Sequence, residues 1–278
     1  MATITDRVTS VIARARRHET MFSGRITVWH EWGQGRPSVL LHGGSGSWNH
    51  WLRNVLPLSD AGHRVLVPDI PGFGESDVAA VEGNDVHGTI EPLWAGLDQF
   101  VQRPCSLIGF SFGAMVATLM AITRPERVRQ LVLLAPPGLG LREEGDKLIP
   151  WRNLPDDTAQ NSAHRHNLAV RMLHRPASID DSAVAIHGAN LARDRMRARR
   201  ISQTDVVLQA LPHLTCNVDV VFGAEDALYR SQLGSVEKLL RVAPGFRELR
   251  MISDAGHWVQ YEEPERCNTE LVRLLGRG

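Results

Sequence analysis

A serine flanked by glycines is the residue of this sequence best suited to act as a nucleophile. Ser111 lies in GFSFG, residues 109–113, between the strand-like run CSLIGF and the apolar run AMVATLMAIT. A G-x-S-x-G segment between a strand and a helix can turn so sharply that only glycine fits beside the serine. The hydroxyl is then pushed into a pocket. The pattern predicts a reactive serine, and a structural serine that caps the helix is the alternative.

A reactive serine needs a base to take its proton, and the base needs a carboxylate to orient it. Among the 12 histidines, His257 is distinguished by its place in the loop DAGHW after the last strand-like run. Asp226 follows the preceding strand-like run, VDVVFG, and is favoured over Glu225 and Asp254 because a neighbouring loop approaches the far ring nitrogen better. Other histidines, such as His187, are interpreted as surface or packing residues.

The third chemical requirement is a pair of backbone N–H donors for the oxyanion that forms when an acyl carbon is attacked. The glycine-rich segment LLHGGSGSW, residues 40–48, follows another strand-like run. We expect the amides of Gly44 and Phe112 to form this oxyanion hole. His42 is expected to fix the loop through hydrogen bonds.

Short β-rich runs alternate with longer helical runs along most of the chain, and these elements must position the reactive groups. Candidates such as HRVLVPDI and VRQLVLLA are almost wholly apolar, which is typical of parallel strands covered on both faces. RITVWHEW and PSVLLHG are predicted to form a hairpin around residues 33–35, and residues 84–101 and 115–123 are candidate crossover helices. The pattern indicates an α/β fold with a mostly parallel sheet.

One stretch interrupts this alternation, because residues 140–204 contain no strand candidate. Residues 178–181, SIDD, fit a capping box that opens a helix running through the arginine cluster RDRMRARR. We expect a helical cap at 140–204, inserted into one α/β core made of residues 1–139 and 205–278. The core is expected to begin with a helix at about residues 1–20. Two consecutive domains fit less well, since too few strands follow the insertion to form a sheet.

Composition argues against several classes of function. The formal net charge is zero, so no overall field suggests a nucleic acid or a membrane surface as partner. No window reaches the ~18 consecutive apolar residues of a membrane span, and arginines occupy the place of a signal peptide's apolar core. We expect a cytoplasmic protein with a small-molecule substrate, and a homodimer stays open. The arginine cluster is interpreted as a solvated surface.

No metal or cofactor is expected from the sequence. His164 and His166 share a helical segment without a third ligand for a metal ion. Cys105, Cys216 and Cys267 are scattered and lack C-x-x-C spacing, which argues against a zinc site or a disulfide framework.

Taken together, these segments resemble the α/β-hydrolase superfamily over residues 22–275. The segments that carry the resemblance are HGGSGSW, PDIPGFGESD, GFSFG, RPERVRQLVLLAPPG, FGAED and DAGHWVQYEEPERCN. The resemblance implies a sheet of about eight strands with helices on both faces and a helical cap over the active site. It gives the role of nucleophile to Ser111, of acid to Asp226 and of base to His257.

Within the superfamily the sequence is most similar to carbon–carbon bond hydrolases that act on ring-cleavage products of aromatic degradation. The similarity rests on GHWVQYE with Asn268 following. In those enzymes a cap arginine binds a substrate carboxylate, which the resemblance gives to Arg193 or Arg195, and Trp258 would line the pocket. They have an asparagine before the serine, whereas this chain has Phe110, which cannot hydrogen-bond a substrate.

The difference at Phe110 favours a serine hydrolase that cleaves a small or medium, largely apolar carboxylic ester. The alternatives are a carbon–carbon hydrolase acting on a vinylogous diketo acid, a cofactor-free perhydrolase or haloperoxidase, and a non-catalytic receptor. Candidate pocket walls are Gly43, Trp48, Phe110, Phe112, Trp151 and Trp258. For Trp151, packing is the favoured interpretation.

Overall fold

The computed structural model of the chain describes residues 4–79, 86–141, 147–196 and 203–277, with side chains from residue 8 onwards. Its eight strands form one sheet in the order β1-β2-β4-β3-β5-β6-β7-β8. The strands are β1 (Arg16–Phe22), β2 (Arg25–Trp32), β3 (Arg36–Leu41), β4 (His63–Pro68), β5 (Cys105–Phe110), β6 (Val128–Leu134), β7 (Asn217–Gly223) and β8 (Phe246–Ile252).

Helices connect most of the strands and pack against the sheet. They are α1 (Ile4–Ile12), α2 (Val55–Asp60), α3 (His87–Phe100), α4 (Phe112–Thr123), α5 (Asp157–Arg171), α6 (Asp181–Ala192), α7 (Val206–Ala210), α8 (Leu233–Leu240), α9 (Val259–Glu262) and α10 (Pro264–Gly276). Within the described ranges, none of them is long and apolar enough to cross a membrane.

The sheet is parallel except at β2, which runs antiparallel to both β1 and β4. The central strand β5 is buried along its whole length, and α4 beside it is apolar on all sides. The run CSLIGF was predicted as a strand and residues 115–123 as a crossover helix, and both are found, as β5 and within α4. The predicted α/β fold with a mostly parallel sheet is confirmed.

The predicted hairpin between RITVWHEW and PSVLLHG is wrong. The second of these runs forms β3, which lies between β4 and β5 and does not pair with β2. The hairpin partner of β2 is β1, and the turn between them is Ser23-Gly24, where both residues have positive φ. The sequence of β1, RRHETMF, is too polar to be recognised as a strand.

The N-terminal helix is also shorter than the predicted residues 1–20, because it ends at Ile12 and β1 begins at Arg16. The strand is held by Glu31 of β2, a buried carboxylate that contacts Arg16 and His18 across the ladder. Arg64 of β4 donates to the same carboxylate at 2.9 Å. These charge-assisted bonds compensate for burying the carboxylate and stabilise the polar edge strand.

Between β6 and β7 the described part of the chain contains no strand, and α5 and α6 pack against each other. Helix α6 begins after Asp180, whose carboxylate accepts a hydrogen bond from the Ala183 N–H at 2.7 Å. Asp180, rather than the predicted Ser178, is therefore the N-cap. The helix ends at Ala192 instead of running through the arginine cluster, and residues 197–202 lie outside the described ranges.

Parallel strands bring the ends of β3, β5, β7 and β8 to one edge of the sheet, where α4 meets the end of β3 with no side chain between them. A Cβ placed on Gly113 would lie 2.2 Å from the Leu41 carbonyl oxygen and 2.5 Å from that of His42. No side chain can be accommodated at such distances from backbone atoms. Gly113 therefore fixes how closely the serine turn approaches the glycine-rich loop.

Replacing Gly113 with alanine is expected to lower the free energy of unfolding by at least about 2 kcal/mol, because backbone must move to admit the methyl group. Gly234, the second residue of α8 as Gly113 is of α4, has open space where a Cβ would lie, with no atom within 4 Å. Gly234→Ala should instead raise stability by about 0.5–1 kcal/mol. Urea denaturation of both variants tests this contrast, and equal effects would contradict it.

Candidate active site

Ser111 lies at the turn between β5 and α4 in a backbone conformation that is rare for serine, with φ 49° and ψ −119°. Such a conformation costs about 1–3 kcal/mol and persists only where its surroundings enforce it. The Ser111 N–H donates to the Leu134 carbonyl at 2.8 Å, and its own carbonyl accepts from the Ala114 N–H at 2.8 Å. The turn is thereby fixed from both sides, at the edge where the strands end.

The three side chains chosen from the sequence form one hydrogen-bonded chain. His257 Nε2 lies 2.9 Å from Ser111 Oγ, and His257 Nδ1 lies 2.7 Å from Asp226 Oδ2. Because the carboxylate can only accept, Nδ1 carries the proton and Nε2 is left to accept from the serine hydroxyl. Asp226 and His257 are both buried, whereas the competing Asp254 is exposed. The arrangement can remove a proton from Ser111.

His42 holds the start of the glycine-rich loop. Its Nε2 accepts the Ile70 N–H at 2.9 Å, so its Nδ1 carries the proton and donates to the Gly43 carbonyl at 2.8 Å. Gly44 follows His42 and Gly43 and lies in a turn. The expectation that His42 fixes this loop agrees with these two hydrogen bonds.

Asp69 holds the other end of the same loop. Its carboxylate accepts the N–H groups of Trp48 and Glu75, both at 2.8 Å. Burial raises the pKa of Asp69 to about 6, and the two N–H donors oppose that rise. The glycine-rich loop is therefore anchored at both ends by buried polar side chains.

Three of the expected pocket residues lie around His257. The Phe110 ring is fully buried, 5.2 Å from the His257 ring and 5.7 Å from that of His50. The Trp258 ring is 4.8 Å from His50. A Cβ on Gly43 would lie 2.9 Å from the Phe110 ring. Phe110 thus gives this side of the site an apolar wall.

Two expected pocket residues pack elsewhere. The Trp48 ring lies 5.4 Å from His30 and 5.6 Å from Trp32, both on β2, so it belongs to the core rather than to a pocket wall. The Trp151 ring lies 5.0 Å from His164 of α5, which agrees with the favoured packing interpretation.

The arginines expected to face the site are directed away from it. Arg195 donates to carbonyl oxygens of residues 73, 74 and 76, in the loop after β4. The Arg193 side chain is 60% exposed and lies 4.0 Å from Glu75. Because α6 ends at Ala192, the chain after it runs along this loop, with the Arg195 N–H bound to the carbonyl of residue 72. The expectation that one of them faces the pocket is wrong.

Two histidines beside the site, the buried His50 and the partly buried His187, were given no role at the site by the sequence analysis. Burial, with the nearby rings of His42, His187 and His257, holds the pKa of His50 well below its ordinary value, and its Nδ1 has no hydrogen-bond partner. Burial lowers the pKa of His187 from 6.5 to about 4. At neutral pH these rings are uncharged, so they can form hydrogen bonds but do not attract anions. No spacing in the sequence indicates them.

Glu262 is a second missed residue, although it lies in the quoted segment GHWVQYE. Its buried carboxylate accepts N–H groups of Gly256 at 2.7 Å, His174 at 3.0 Å and Arg175 at 2.6 Å. It therefore ties the residue before His257 to the chain that follows α5. In the described ranges, no three His, Cys, Asp or Glu side chains are grouped to hold a metal ion.

Comparisons with known proteins identify similar chains. A family model described as alpha/beta hydrolase family matches residues 39–270. A 2-hydroxy-6-oxo-6-phenylhexa-2,4-dienoate hydrolase from Burkholderia cepacia is 27% identical, over 88% of this chain and 90% of the relative. A 2-hydroxymuconate semialdehyde hydrolase from Pseudomonas sp. (strain CF600) is 28% identical, over 89% of each chain.

Solved structures share the fold at lower identity. A chain assigned as an aryl esterase from Burkholderia cenocepacia superimposes with a TM-score of 0.76 at 22% identity, covering 94% of this chain and 98% of that one. A meta-cleavage product hydrolase from Pseudomonas fluorescens IP01 gives a TM-score of 0.75 at 21% identity, covering 94% and 97%.

Replacing His187 with glutamine is expected to reduce the loss of stability in mild acid. Because the folded-state pKa is about 4 against an ordinary 6.5, the unfolded state binds more protons between these values, and stability falls as pH falls. The loss of unfolding free energy from about pH 7 to about pH 5 should shrink by up to about 2 kcal/mol.

Urea denaturation at both pH values measures this difference. His213→Gln, the same replacement at an exposed histidine, controls for loss of an imidazole. An unchanged pH dependence in His187→Gln would contradict the burial argument.

Proposed function

The chain is an enzyme of the alpha/beta hydrolase family, and on that premise we propose that it hydrolyses carboxylic esters with Ser111 as nucleophile. The observation that carries the proposal is the hydrogen-bonded chain from Ser111 through His257 to Asp226, with distances of 2.9 and 2.7 Å. Three polar groups from three separate loops, of which Asp226 and His257 are buried, meet there in the order that nucleophilic catalysis requires. The active site is at this edge of the sheet.

In the first step, Ser111 Oγ attacks the acyl carbon while His257 Nε2 takes its proton. The electron pair of the carbonyl double bond moves onto the oxygen, which becomes an oxyanion. Asp226 keeps the proton on Nδ1 and stabilises the imidazolium that forms. The second oxygen of Asp226 accepts the Leu228 N–H at 2.9 Å, and this bond fixes the orientation of the carboxylate toward His257.

The oxyanion is bound by the N–H groups of Gly44 and Phe112. The close contact of Gly113 with the carbonyls of Leu41 and His42 supports this role, because it brings the start of α4 beside the glycine-rich loop. The positive end of the α4 dipole adds to the stabilisation of negative charge.

The tetrahedral intermediate then collapses. The bond between acyl carbon and leaving oxygen breaks, and His257 gives its proton to that oxygen, so that an alcohol leaves and an acyl-serine remains. A water molecule, deprotonated by His257, attacks the acyl carbon, and the same steps release the acid and restore Ser111. The reaction consumes one water and needs no cofactor.

Residues 140–204 act in this proposal as a cap over a small-molecule substrate. Contacts at the boundary support it, since Asn190 of α6 accepts from Ser47 at 3.0 Å and donates to Asn49 at 2.7 Å. Ser47 belongs to the glycine-rich segment, and Asn49 follows it directly. The fully buried ring of Phe110 beside His257 supports an apolar acyl group.

A carbon–carbon bond hydrolase acting on a vinylogous diketo acid is the second candidate. The names of two relatives, a phenylhexadienoate hydrolase and a muconate semialdehyde hydrolase, favour it. The same Ser111 would attack a ketone, and the leaving group would be carbon. Phe110 weighs against it, because an aromatic ring beside the nucleophile offers no hydrogen bond to a polar diketo acid.

Ser111→Ala is expected to lower kcat/KM for a short p-nitrophenyl ester by at least about 10⁴-fold, because it removes the attacking oxygen. Ser23 has the same φ, 49°, but lies in the turn between β1 and β2. Ser23→Ala makes the same change under the same backbone strain and should retain full activity. Undiminished hydrolysis by a folded Ser111→Ala variant would refute the nucleophile.

The two candidate reactions are separated by comparing phenyl acetate with a coloured 2-hydroxy-6-oxo-dienoate on the wild-type enzyme and Phe110→Asn. For an esterase, wild type should prefer the ester, and Phe110→Asn should weaken ester hydrolysis through loss of the apolar wall. A preference of the wild type for the dienoate by about 10-fold or more would replace the ester proposal with the second candidate.

A further inference from the structure

A cavity of about 70 Å³ lies where the end of α5 meets the loop after β7, and His257 is among the residues that line it. The lining comes from three segments: Ala169 and residues 171–174 at the end of α5, Glu225, Ala227 and Arg230 after β7, and Gly256 with His257. A water molecule needs only about 10–15 Å³ measured in this way. The cavity can therefore admit a small polar group such as a carboxylate.

The cavity is lined by more basic than acidic side chains. Arg171 and Arg230 supply guanidinium groups, His174 an imidazole, and Glu225 the one carboxylate among the lining residues. Across the described ranges, neither guanidinium has an ion-pair partner within 4.0 Å, and Arg171 Nε is buried without a hydrogen-bond partner. By contrast, arginines such as Arg64 are paired with carboxylates.

Arg171 is held beside His257 by the backbone. The Trp258 N–H donates to the Met172 carbonyl at 2.8 Å, directly after Arg171. Glu262 binds the N–H groups of His174 and Gly256 at the same junction. The last turn of α5 therefore cannot shift without displacing the loop that carries His257.

We propose that Arg171 and Arg230 form a subsite for a carboxylate carried by the leaving group of the substrate. His257 protonates the leaving oxygen, so the leaving group lies next to the imidazole, and His257 also lines the cavity. A guanidinium donates two parallel hydrogen bonds to a carboxylate, which would satisfy the buried Arg171 Nε. The inference rests on the proposed ester hydrolysis and makes its products a carboxylic acid and a hydroxy acid.

The subsite joins two parts of the chain that are far apart in sequence. Arg171 comes from the helical segment between β6 and β7, and Arg230 follows Asp226 by four residues on the loop of the triad carboxylate. A bound carboxylate would bridge them and hold α5 against the core. Glu225, the carboxylate in the lining, opposes binding of an anion by like-charge repulsion.

Three esters test the subsite: 4-acetoxybenzoate has a carboxylate on the leaving group, its methyl ester has none, and monophenyl succinate has one on the acyl side. Arg171→Met should lower kcat/KM for 4-acetoxybenzoate about 10- to 100-fold, the value of a lost charge-assisted hydrogen bond. The methyl ester should change by less than about twofold. Arg230→Met should have a smaller effect because Arg230 is exposed.

Arg165→Met is the matched control, since Arg165 lies on α5 and pairs with Asp181 outside the cavity. It should leave both benzoate esters unchanged, and Glu225→Gln should favour 4-acetoxybenzoate further. Equal losses on the charged and the methyl ester in Arg171→Met would overturn the subsite. A selective loss on monophenyl succinate would overturn its placement on the leaving-group side.

Binding of the product 4-hydroxybenzoate, measured by calorimetry, needs no turnover and separates the two proposals. If the wild type hydrolyses none of the esters, the proposed function fails, while weaker binding in Arg171→Met would still support the subsite. Equal binding by wild type, Arg171→Met and Arg165→Met would overturn it whatever the esters show. Thermal unfolding of each variant confirms that the fold is intact.

Discussion

The contact between the start of α4 and the end of β3 is the constraint on which the site depends. Gly113 lies directly against the carbonyls of Leu41 and His42, so the serine turn and the glycine-rich loop meet as backbone against backbone. This contact enforces the strained conformation of Ser111 and brings two sets of N–H groups together. A side chain at that point would separate the nucleophile from the donors that its reaction needs.

Buried carboxylates fix the positions of the loops around that contact. Asp226 orients His257, Asp69 anchors the end of the glycine-rich loop, and Glu262 ties the His257 loop to the end of α5. Each accepts hydrogen bonds from the group that it positions, which offsets the cost of burying its charge. Catalytic geometry in this fold thus rests on polar side chains within an otherwise apolar core.

The sequence predicted local structure correctly where apolar runs and glycine positions determine the path of the backbone. The strand–turn–helix around Ser111 and the carboxyl ends of strands before Asp226 and His257 follow from apolar runs and glycine positions, as does the parallel sheet. The sequence was insufficient at β1, whose polar residues are stabilised by Glu31 on the next strand. The same polar residues that make β1 unrecognisable as a strand in the sequence form the hydrogen bonds that hold it in the sheet.

The sequence by itself determined the order of the reactive groups along the chain and the architecture that brings them to one edge, because both follow from periodicity and turn chemistry. Only the tertiary structure decided which arginines approach the site. Arg193 and Arg195 turn to the loop after β4, whereas Arg171 reaches the cavity beside His257. The direction of a side chain at a helix end depends on the space that the neighbouring loops leave free. Contacts between residues far apart in sequence determine that space.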